Sequence, residues 1–218
     1  MEIKYFQYFQ LFSLLMALVC RKGLNAFSLG ILIPILILDN VTEILGSNHL
    51  ALFHTKGNYY IYNIYFLLST PLFFVLFASM LDGTRRDKRR LFWTGAAVEV
   101  FLVINYFFIQ GRYDVDTFSA QLISLACIIL SCLVLTRLAI RKDDEGGLLQ
   151  DPIFWVNAMI LLFNLVSLIV LGIYKFIIQN GLEISHKNLY IAIMPAANAV
   201  LYSGYSYAFL LCQLQRSK

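Results

Sequence analysis

The residues of this chain that have the chemistry of a ligand or proton site are acids set within long apolar stretches. Asp39 and Glu43 are four residues apart, and on a helix that spacing places both carboxyls on one face. Glu99 lies near the middle of another apolar stretch. An ionisable group costs about 2.5–3.5 kcal/mol at the centre of a membrane helix, so such groups usually face the interior of a helix bundle. These three carboxyls are therefore candidates to bind a cation, a proton or a hydrogen-bonding ligand.

Amide and phenol side chains accompany the acids, mostly in the same half of the apolar stretches. Asn198 and Tyr202, for example, are four residues apart and share a helix face. Together these residues predict a polar pocket open to the outside of the membrane, with Glu99 at or below its floor. The residues expected to border it are Asp39, Glu43, Asn63, Tyr65, Glu99, Asn105, Gln121, Asn198 and Tyr202. Taken singly, the amides are equally well explained as hydrogen bonds between helices, typically about 0.6 kcal/mol each in membranes.

The histidines offer a second kind of chemistry, because His49, His54 and His186 all fall between apolar stretches. With a nearby carboxylate they could bind zinc and activate water, but no tight ligand spacing such as HxxxH joins them. Loop histidines exposed to solvent are the alternative interpretation. No retinal is expected, because the last apolar stretch has no central lysine and Lys175 lies near the end of the preceding one. The sequence also has no glycine-rich phosphate loop and no GxSxG motif, so we predict neither a nucleotide site nor a serine nucleophile, and no cofactor.

The composition indicates which elements must position these side chains. Of the 218 residues, 60% are hydrophobic and 14% are charged, with a mean hydropathy of +0.72. Soluble domains are about 45–50% apolar and about 25% charged, so a soluble domain, a disordered chain and a disulfide scaffold are excluded. The apolar runs predict an all-α bundle of seven transmembrane helices in a single domain, 1–218. The expected spans are 5–20, 29–46, 59–81, 91–110, 117–136, 153–178 and 189–212.

The positive charges predict the orientation of these spans. One set of connections holds twelve of the 17 lysines and arginines, and the other set holds five. Cytoplasmic loops carry the excess of positive charge, so we expect the amino terminus outside and the carboxyl terminus in the cytoplasm, in a bacterial inner membrane. The members of the larger set are Arg21, Lys22, Arg85, Arg86, Lys88, Arg89, Arg90, Arg137, Arg141, Lys142, Arg216 and Lys218.

Five of these charges fall within six consecutive positions, at Arg85, Arg86, Lys88, Arg89 and Arg90. Each basic residue near a membrane surface contributes about 1 kcal/mol of attraction to anionic lipid headgroups. A docking surface for an acidic signalling protein in the cytoplasm is the alternative. No interaction with nucleic acid is expected.

Several short stretches taken together resemble a known family. They are Thr42–Leu45, Asn63–Tyr65, Asp151–Trp155, and Asn198 followed by Tyr202. The chain resembles, over its whole length, a family of small uncharacterised seven-helix membrane proteins of Bacteroidota, some encoded beside sensor kinases. The resemblance implies a seven-helix fold and a signalling context, and it carries over no catalytic residue.

Three functions follow from these observations. The first is a receptor or sensor module with an outer pocket and with basic inner loops that contact a partner. The second is a small transporter that uses the carboxyls as proton or cation sites. This alternative is similar in size and helix number to transporters built as three helices, a linker helix and three more. The third is a metal-dependent membrane hydrolase that uses the three histidines.

Overall fold

The computed structural model describes residues 4–54, 57–81, 83–110, 116–142, 147–173 and 183–216, with the side chains of 142 and 183–191 left out. Within these ranges the regular secondary structure is all helical and includes no strand. In chain order the helices are α1 (Tyr5–Val19), α2 (Arg21–Ala26), α3 (Leu32–Ser47), α4 (His49–Phe53), α5 (Tyr59–Met80), α6 (Arg85–Ile104), α7 (Thr117–Lys142), α8 (Pro152–Gly172) and α9 (Glu183–Arg216). A π-helical turn, Asn105–Ile109, extends α6, and a 3-10 turn, Leu148–Gln150, precedes α8.

Four of the described helices are long and apolar enough to cross a bilayer. They are Tyr59–Met80, Arg85–Ile109, Thr117–Arg141 and Pro152–Gly172. They coincide with the third, fourth, fifth and sixth predicted spans, so the prediction of a helical membrane protein is confirmed at that level. The first two predicted spans fall on α1 and α3, which have 15 and 16 residues. A straight span needs about 20 residues, so α1 and α3 are shorter than the usual length.

The helices form a closed circuit of neighbours. Helix α1 packs against α3, α3 against α5, α5 against α7, α7 against α8, α8 against α9, and α9 again against α1. Helix α6 lies outside this circuit and packs against α5 and α7. Within Arg85–Ile104 the one buried residue is Leu102, which agrees with the peripheral place of α6. The apolar core is built from the circuit helices, with Leu36, Phe77 and Phe209 among its fully buried side chains.

Contacts between helix ends show that neighbouring helices α1 and α3 run in opposite directions. The Gln7 amide near the start of α1 donates to the Ser47 hydroxyl at 3.0 Å and to the Glu43 carbonyl at 3.4 Å, both near the end of α3. We call this side of the molecule the Glu43 end. At the opposite side, the Ser79 hydroxyl near the end of α5 donates to the Ser28 carbonyl between α2 and α3 at 2.8 Å. We call this side the Ser79 end.

Two helices at the Ser79 end begin with side-chain caps. The Thr84 hydroxyl accepts from the Asp87 N–H, and the Asp87 carboxylate accepts from the Thr84 N–H at 3.1 Å, which is a capping box. The Asp151 carboxylate accepts from the Ile153 N–H at 2.7 Å, and Pro152 occupies the first position of α8, where a missing N–H costs no helical hydrogen bond. These caps fix where α6 and α8 leave their loops.

Candidate functional site

The centre of the candidate site is the carboxyl group of Asp39, which receives hydrogen bonds from two other helices. The Tyr65 hydroxyl of α5 donates to Oδ1 at 2.7 Å, and the Tyr202 hydroxyl of α9 donates to Oδ2 at 3.1 Å. Asp39 lies on the buried face of α3, and it is 8% exposed, while Tyr202 is 5% exposed. We call Asp39, Tyr65 and Tyr202 the Asp39 cluster. The structure therefore brings together three of the residues that the sequence assigned to a polar pocket.

The charge of Asp39 is not balanced by a cation within the described part of the chain. In that part of the chain its hydrogen-bond donors are the two phenols, and the charged group close enough to affect it electrostatically is another acid, Glu43. Burying an ionised carboxylate without a cation is unfavourable by several kcal/mol, and two neutral hydrogen bonds offset only part of that cost. Asp39 can lower this cost in two ways, by taking up a proton or by binding a ligand that carries positive charge.

Glu43 lies on the same face of α3 as Asp39, one helical turn closer to the end of that helix. The Tyr62 hydroxyl donates to its Oε2 at 3.4 Å, and Lys4 is the cation whose charge acts on it. Glu43 is half-buried, whereas Lys4 is exposed. The two acids therefore differ in their surroundings. Glu43 is closer to the end of the bundle and to Lys4, whereas Asp39 is deeper and accepts hydrogen bonds from two tyrosines.

The two asparagines predicted to accompany the acids lie on α5 and α9. Asn198 is half-buried one turn before Tyr202, so the two side chains lie on the same face of α9. Asn63 is 2% exposed, two residues before Tyr65, and residues at that spacing leave a helix in different directions. Asn198 therefore shares a helix face with the Asp39 cluster, and Asn63 is buried on another side of α5.

Two further predicted pocket residues belong to the packing at the start of α7. The Asn105 amide donates to the Asp116 carboxylate and, at 3.0 Å, to the Ser119 hydroxyl. Asp116 also accepts from the Ser119 N–H at 3.0 Å, as an N-cap residue does. Gln121 donates to the Leu171 carbonyl at 3.4 Å, near the end of α8, where carbonyls have no helical partner. Through these contacts Asn105 and Gln121 hold neighbouring helix ends together.

Glu99 lies on α6, the helix outside the circuit. It is half-buried, and its Oε2 atom is buried without a hydrogen-bond partner among the described residues. Helix α6 packs against α5 and α7, whereas the Asp39 cluster belongs to α3, α5 and α9. Glu99 is thus a half-buried acid away from the Asp39 cluster, and α5 is the helix that contacts both α6 and the α3 face that carries Asp39.

The structure adds two residues on α1 that the sequence analysis did not consider. Gln10 and Ser13 are 1% and 0% exposed, and the Gln10 Nε2 and Ser13 Oγ atoms have no hydrogen-bond partner in the described part of the chain. Because α1 and α3 are antiparallel and Gln7 meets Ser47, the helical rise places Gln10 near the level of Glu43, and Ser13 is one turn closer to the level of Asp39. Helix α1 also packs against α9, which carries Tyr202.

A signal for this face is present in the sequence. Gln7, Gln10, Ser13 and Ala17 recur at spacings of three and four residues in an otherwise apolar helix. In a membrane helix such a stripe of polar and small residues marks the face that packs against other helices. This face therefore holds an amide donor and a hydroxyl, one turn apart and buried without partners among the described residues, at levels between Ser47 and Asp39 of the neighbouring α3.

The histidines form no group around a common point among the described residues. The His49 Nδ1 atom lies 2.8 Å from the Gly46 carbonyl, and His54 ends α4 in the left-handed backbone region with φ 54°. Within the described residues, no set of three or more His, Cys, Asp or Glu side chains is placed to hold a metal ion. The side chain of His186, and Lys175 as a whole, lie outside the described residues.

The basic segment lies in the first two turns of α6, at the Ser79 end. Its cationic side chains are all exposed, and they are Arg85, Arg86, Lys88, Arg89 and Arg90. The capping box of Thr84 and Asp87 fixes the start of this helix, so the charges extend from a defined backbone.

Comparisons with known proteins add no relative to this description. No known protein family, curated protein or solved structure matches the chain.

Proposed function

We propose that this protein is a seven-helix membrane sensor module with its amino terminus outside. In this arrangement α1, α3, α5, α6, α7, α8 and α9 are the spans, the Glu43 end faces outward, and the Ser79 end faces the cytoplasm of a bacterial cell. The opposite directions of α1 and α3 and the exposed basic segment at the Ser79 end support this orientation. The resemblance to a family of small seven-helix membrane proteins, some of them encoded beside sensor kinases, supports the signalling context.

The observation that carries the proposal is the sharing of the Asp39 carboxyl between Tyr65 of α5 and Tyr202 of α9. In the proposed mechanism a cationic or hydrogen-bonding ligand takes the place of one of these phenols at Asp39. Loss of either hydrogen bond changes how α3 is held against α5 or α9, and both of these helices continue to the Ser79 end. A ligand that prefers one of the two arrangements shifts the population of the whole bundle toward it.

In the proposed mechanism the basic segment of α6 passes this shift to a cytoplasmic partner. Helix α6 packs directly against α5, so a displacement of α5 moves the helix that presents Arg85, Arg86, Lys88, Arg89 and Arg90. The expected partner surface is acidic, because charge complementarity favours it.

Thermal unfolding in lipid nanodiscs tests the ligand site, with a set of small ammonium compounds and small polyols as probes. We expect at least one probe to raise the unfolding midpoint of the wild type but not of Asp39→Asn. Asp116→Asn is the matched control, because it is the same chemical change and asparagine is also a good N-cap residue. The site is wrong if Asp39→Asn responds like the control, or if no probe stabilises the wild type.

The unpaired charge of Asp39 favours a second candidate function, a small proton- or cation-coupled transporter. Glu43 and Asp39 form a path of two carboxyls from the Glu43 end into the bundle, as a cation or proton pathway requires. Proteoliposomes with a trapped pH-sensitive dye distinguish the candidates when a pH or sodium gradient is imposed. A transporter gives a flux that Asp39→Asn or Glu99→Gln abolishes, whereas a sensor gives the same trace as empty liposomes.

A further inference from the structure

A cavity of about 430 Å³ opens at the Ser79 end, away from the Asp39 cluster. It lies between the loop after α2, the end of α5, the end of α7 and the start of α8. This volume is within the usual range of small-molecule sites, about 300–1,000 Å³. The side chains that give the cavity its character are Phe27, Ser28, Ser79, Arg137, Arg141 and Ile153.

Two arginines supply positive charge to one side of this cavity. Arg137 and Arg141 are four residues apart near the end of α7, so both lie on one face of the helix, and both are exposed. Asp87 of α6 interacts electrostatically with Arg137, and that carboxylate is also hydrogen-bonded by Thr84. The cavity therefore presents a pair of guanidinium groups, which match the geometry of a phosphate.

The remaining lining of the cavity combines apolar surface with the hydroxyls of Ser28 and Ser79. Met80, Val134 and Leu138 are at most 8% exposed and contribute buried apolar surface, and Phe27 and Ile153 are half-buried beside them. A ligand that fits this lining must carry an anionic group at one point and hydrocarbon close to it.

The position of the cavity along the helices points to the same ligand class. Trp155, three residues into α8, donates from its indole N–H to the Leu149 carbonyl at 2.8 Å, as an aromatic residue at the level of lipid headgroups does. Ile153, two residues earlier, lines the cavity. In the proposed membrane orientation the cavity is therefore at the boundary between hydrocarbon and headgroups, on the side that carries the exposed basic segment.

We propose that this cavity binds one anionic phospholipid, with the lipid phosphate at Arg137 and Arg141 and the first acyl carbons against Phe27 and Ile153. Basic cavities between membrane helices are a known way to hold anionic headgroups. The volume admits the headgroup and the glycerol region and leaves most of the acyl chains in the bilayer. The proposal does not depend on the sensor or transporter function of the Asp39 cluster.

Native mass spectrometry of the full chain tests the site, with phosphatidylglycerol and phosphatidylcholine of equal chain length as probes. We expect one phosphatidylglycerol to be retained by the wild type. The variant Arg137→Gln with Arg141→Gln is expected to retain it about tenfold less, because two charge contacts are lost. Arg21→Gln with Lys22→Gln is the matched control, since it removes the same charge from α2 at the same end, and it is expected to stay within about twofold of wild type.

A second variant tests the shape of the cavity without changing its charge. Ala26 is exposed and borders the cavity, so Ala26→Phe fills part of it and is expected to lower lipid retention while the fold is kept. The proposal is overturned if phosphatidylcholine is held equally well, or if the α2 control loses as much lipid as the α7 double variant. Competition by free glycerol phosphate would also overturn it, because that result assigns the cavity to a soluble phosphate compound.

Discussion

The Tyr202 hydroxyl donates a hydrogen bond to the Asp39 carboxylate at 3.1 Å, across a separation of 163 residues in the sequence. This contact joins α3 to α9, while the Tyr65 contact at 2.7 Å joins the same carboxylate to α5. One carboxyl group thus links three helices. The stability of the bundle and the state of the candidate site are therefore coupled at Asp39.

Removal of either phenol donor is expected to destabilise the protein. Tyr65→Phe and Tyr202→Phe each leave one Asp39 oxygen buried without its donor, which costs about 1–3 kcal/mol. We expect the larger loss for Tyr65→Phe, because its hydrogen bond is the shorter one. Unfolding by SDS titration in mixed micelles measures both changes in free energy.

Tyr207→Phe is the control for these two variants. Tyr207 is 46% exposed and packs edge-on against Trp155, with ring centroids 5.0 Å apart. Its loss of a hydroxyl is expected to change the free energy of unfolding by less than about 0.5 kcal/mol. Equal effects of Tyr202→Phe and Tyr207→Phe would show that the bond to Asp39 contributes nothing to stability.

Apolar substitutions of Gln10 and Ser13 are expected to stabilise the protein in the absence of a ligand and to weaken ligand binding. Gln10 Nε2 and Ser13 Oγ are buried without partners among the described residues, so Gln10→Leu and Ser13→Ala remove a desolvation cost of about 1–3 kcal/mol per group. If these atoms contact the ligand at Asp39, the probe that stabilises the wild type will lose its effect. A lower midpoint for both variants without ligand would contradict this interpretation and indicate structural hydrogen bonds to water.

The cap at the start of α7 is expected to depend on an oxygen acceptor at position 116. Asp116→Ala removes the acceptor for the Ser119 N–H and for the Asn105 amide, and N-cap losses of this kind cost about 0.5–2 kcal/mol. Asp116→Asn keeps an oxygen in the same place and is expected to retain most of the stability. Thermal midpoints of the two variants give the comparison, and the prediction is wrong if they are equally destabilised.

Glycine at position 28 is expected to stabilise the loop between α2 and α3. Ser28 has φ 59°, and the Leu29 N–H reaches back to the Leu24 carbonyl at 2.8 Å, as at a helix end with a left-handed residue. A side chain in that backbone region costs about 1–2 kcal/mol, which Ser28→Gly relieves while keeping the carbonyl that accepts from Ser79. The measurement is the unfolding midpoint, with Ser28→Ala as a control that is expected to show no gain.

The features of the candidate site that depend only on spacing along one helix can be predicted from the sequence. Asp39 and Glu43 share a face of α3 because they are four residues apart, and Asn198 and Tyr202 share a face of α9 for the same reason. The start of α8 at Asp151 and Pro152 is likewise local, because a cap needs only the residues next to it.

The rest of the site depends on which helices are neighbours, which a single sequence does not specify. Asn105 and Gln121 look like pocket residues from their depth alone, but their contacts lie at the ends of α7 and α8. Glu99 also has the right depth and lies on the peripheral α6. Gln10 and Ser13 are buried because α1 packs between α3 and α9, and this arrangement of helices cannot be read from the sequence of α1 alone.

The packing of α1 against α9 has a consequence for biogenesis. In the proposed seven-helix arrangement the ribosome completes α9 more than 160 residues after α1, so the polar face of α1 enters the membrane before α9 is available to cover it. During that interval Gln10 and Ser13 lack the cover of α9, and Asp39 lacks Tyr202. A nascent chain that stalls before α9 therefore exposes polar groups to lipid, which is a feature that membrane chaperones and proteases can recognise. Helix α9 thus covers polar groups of α1 and α3 that are uncovered until α9 is synthesised.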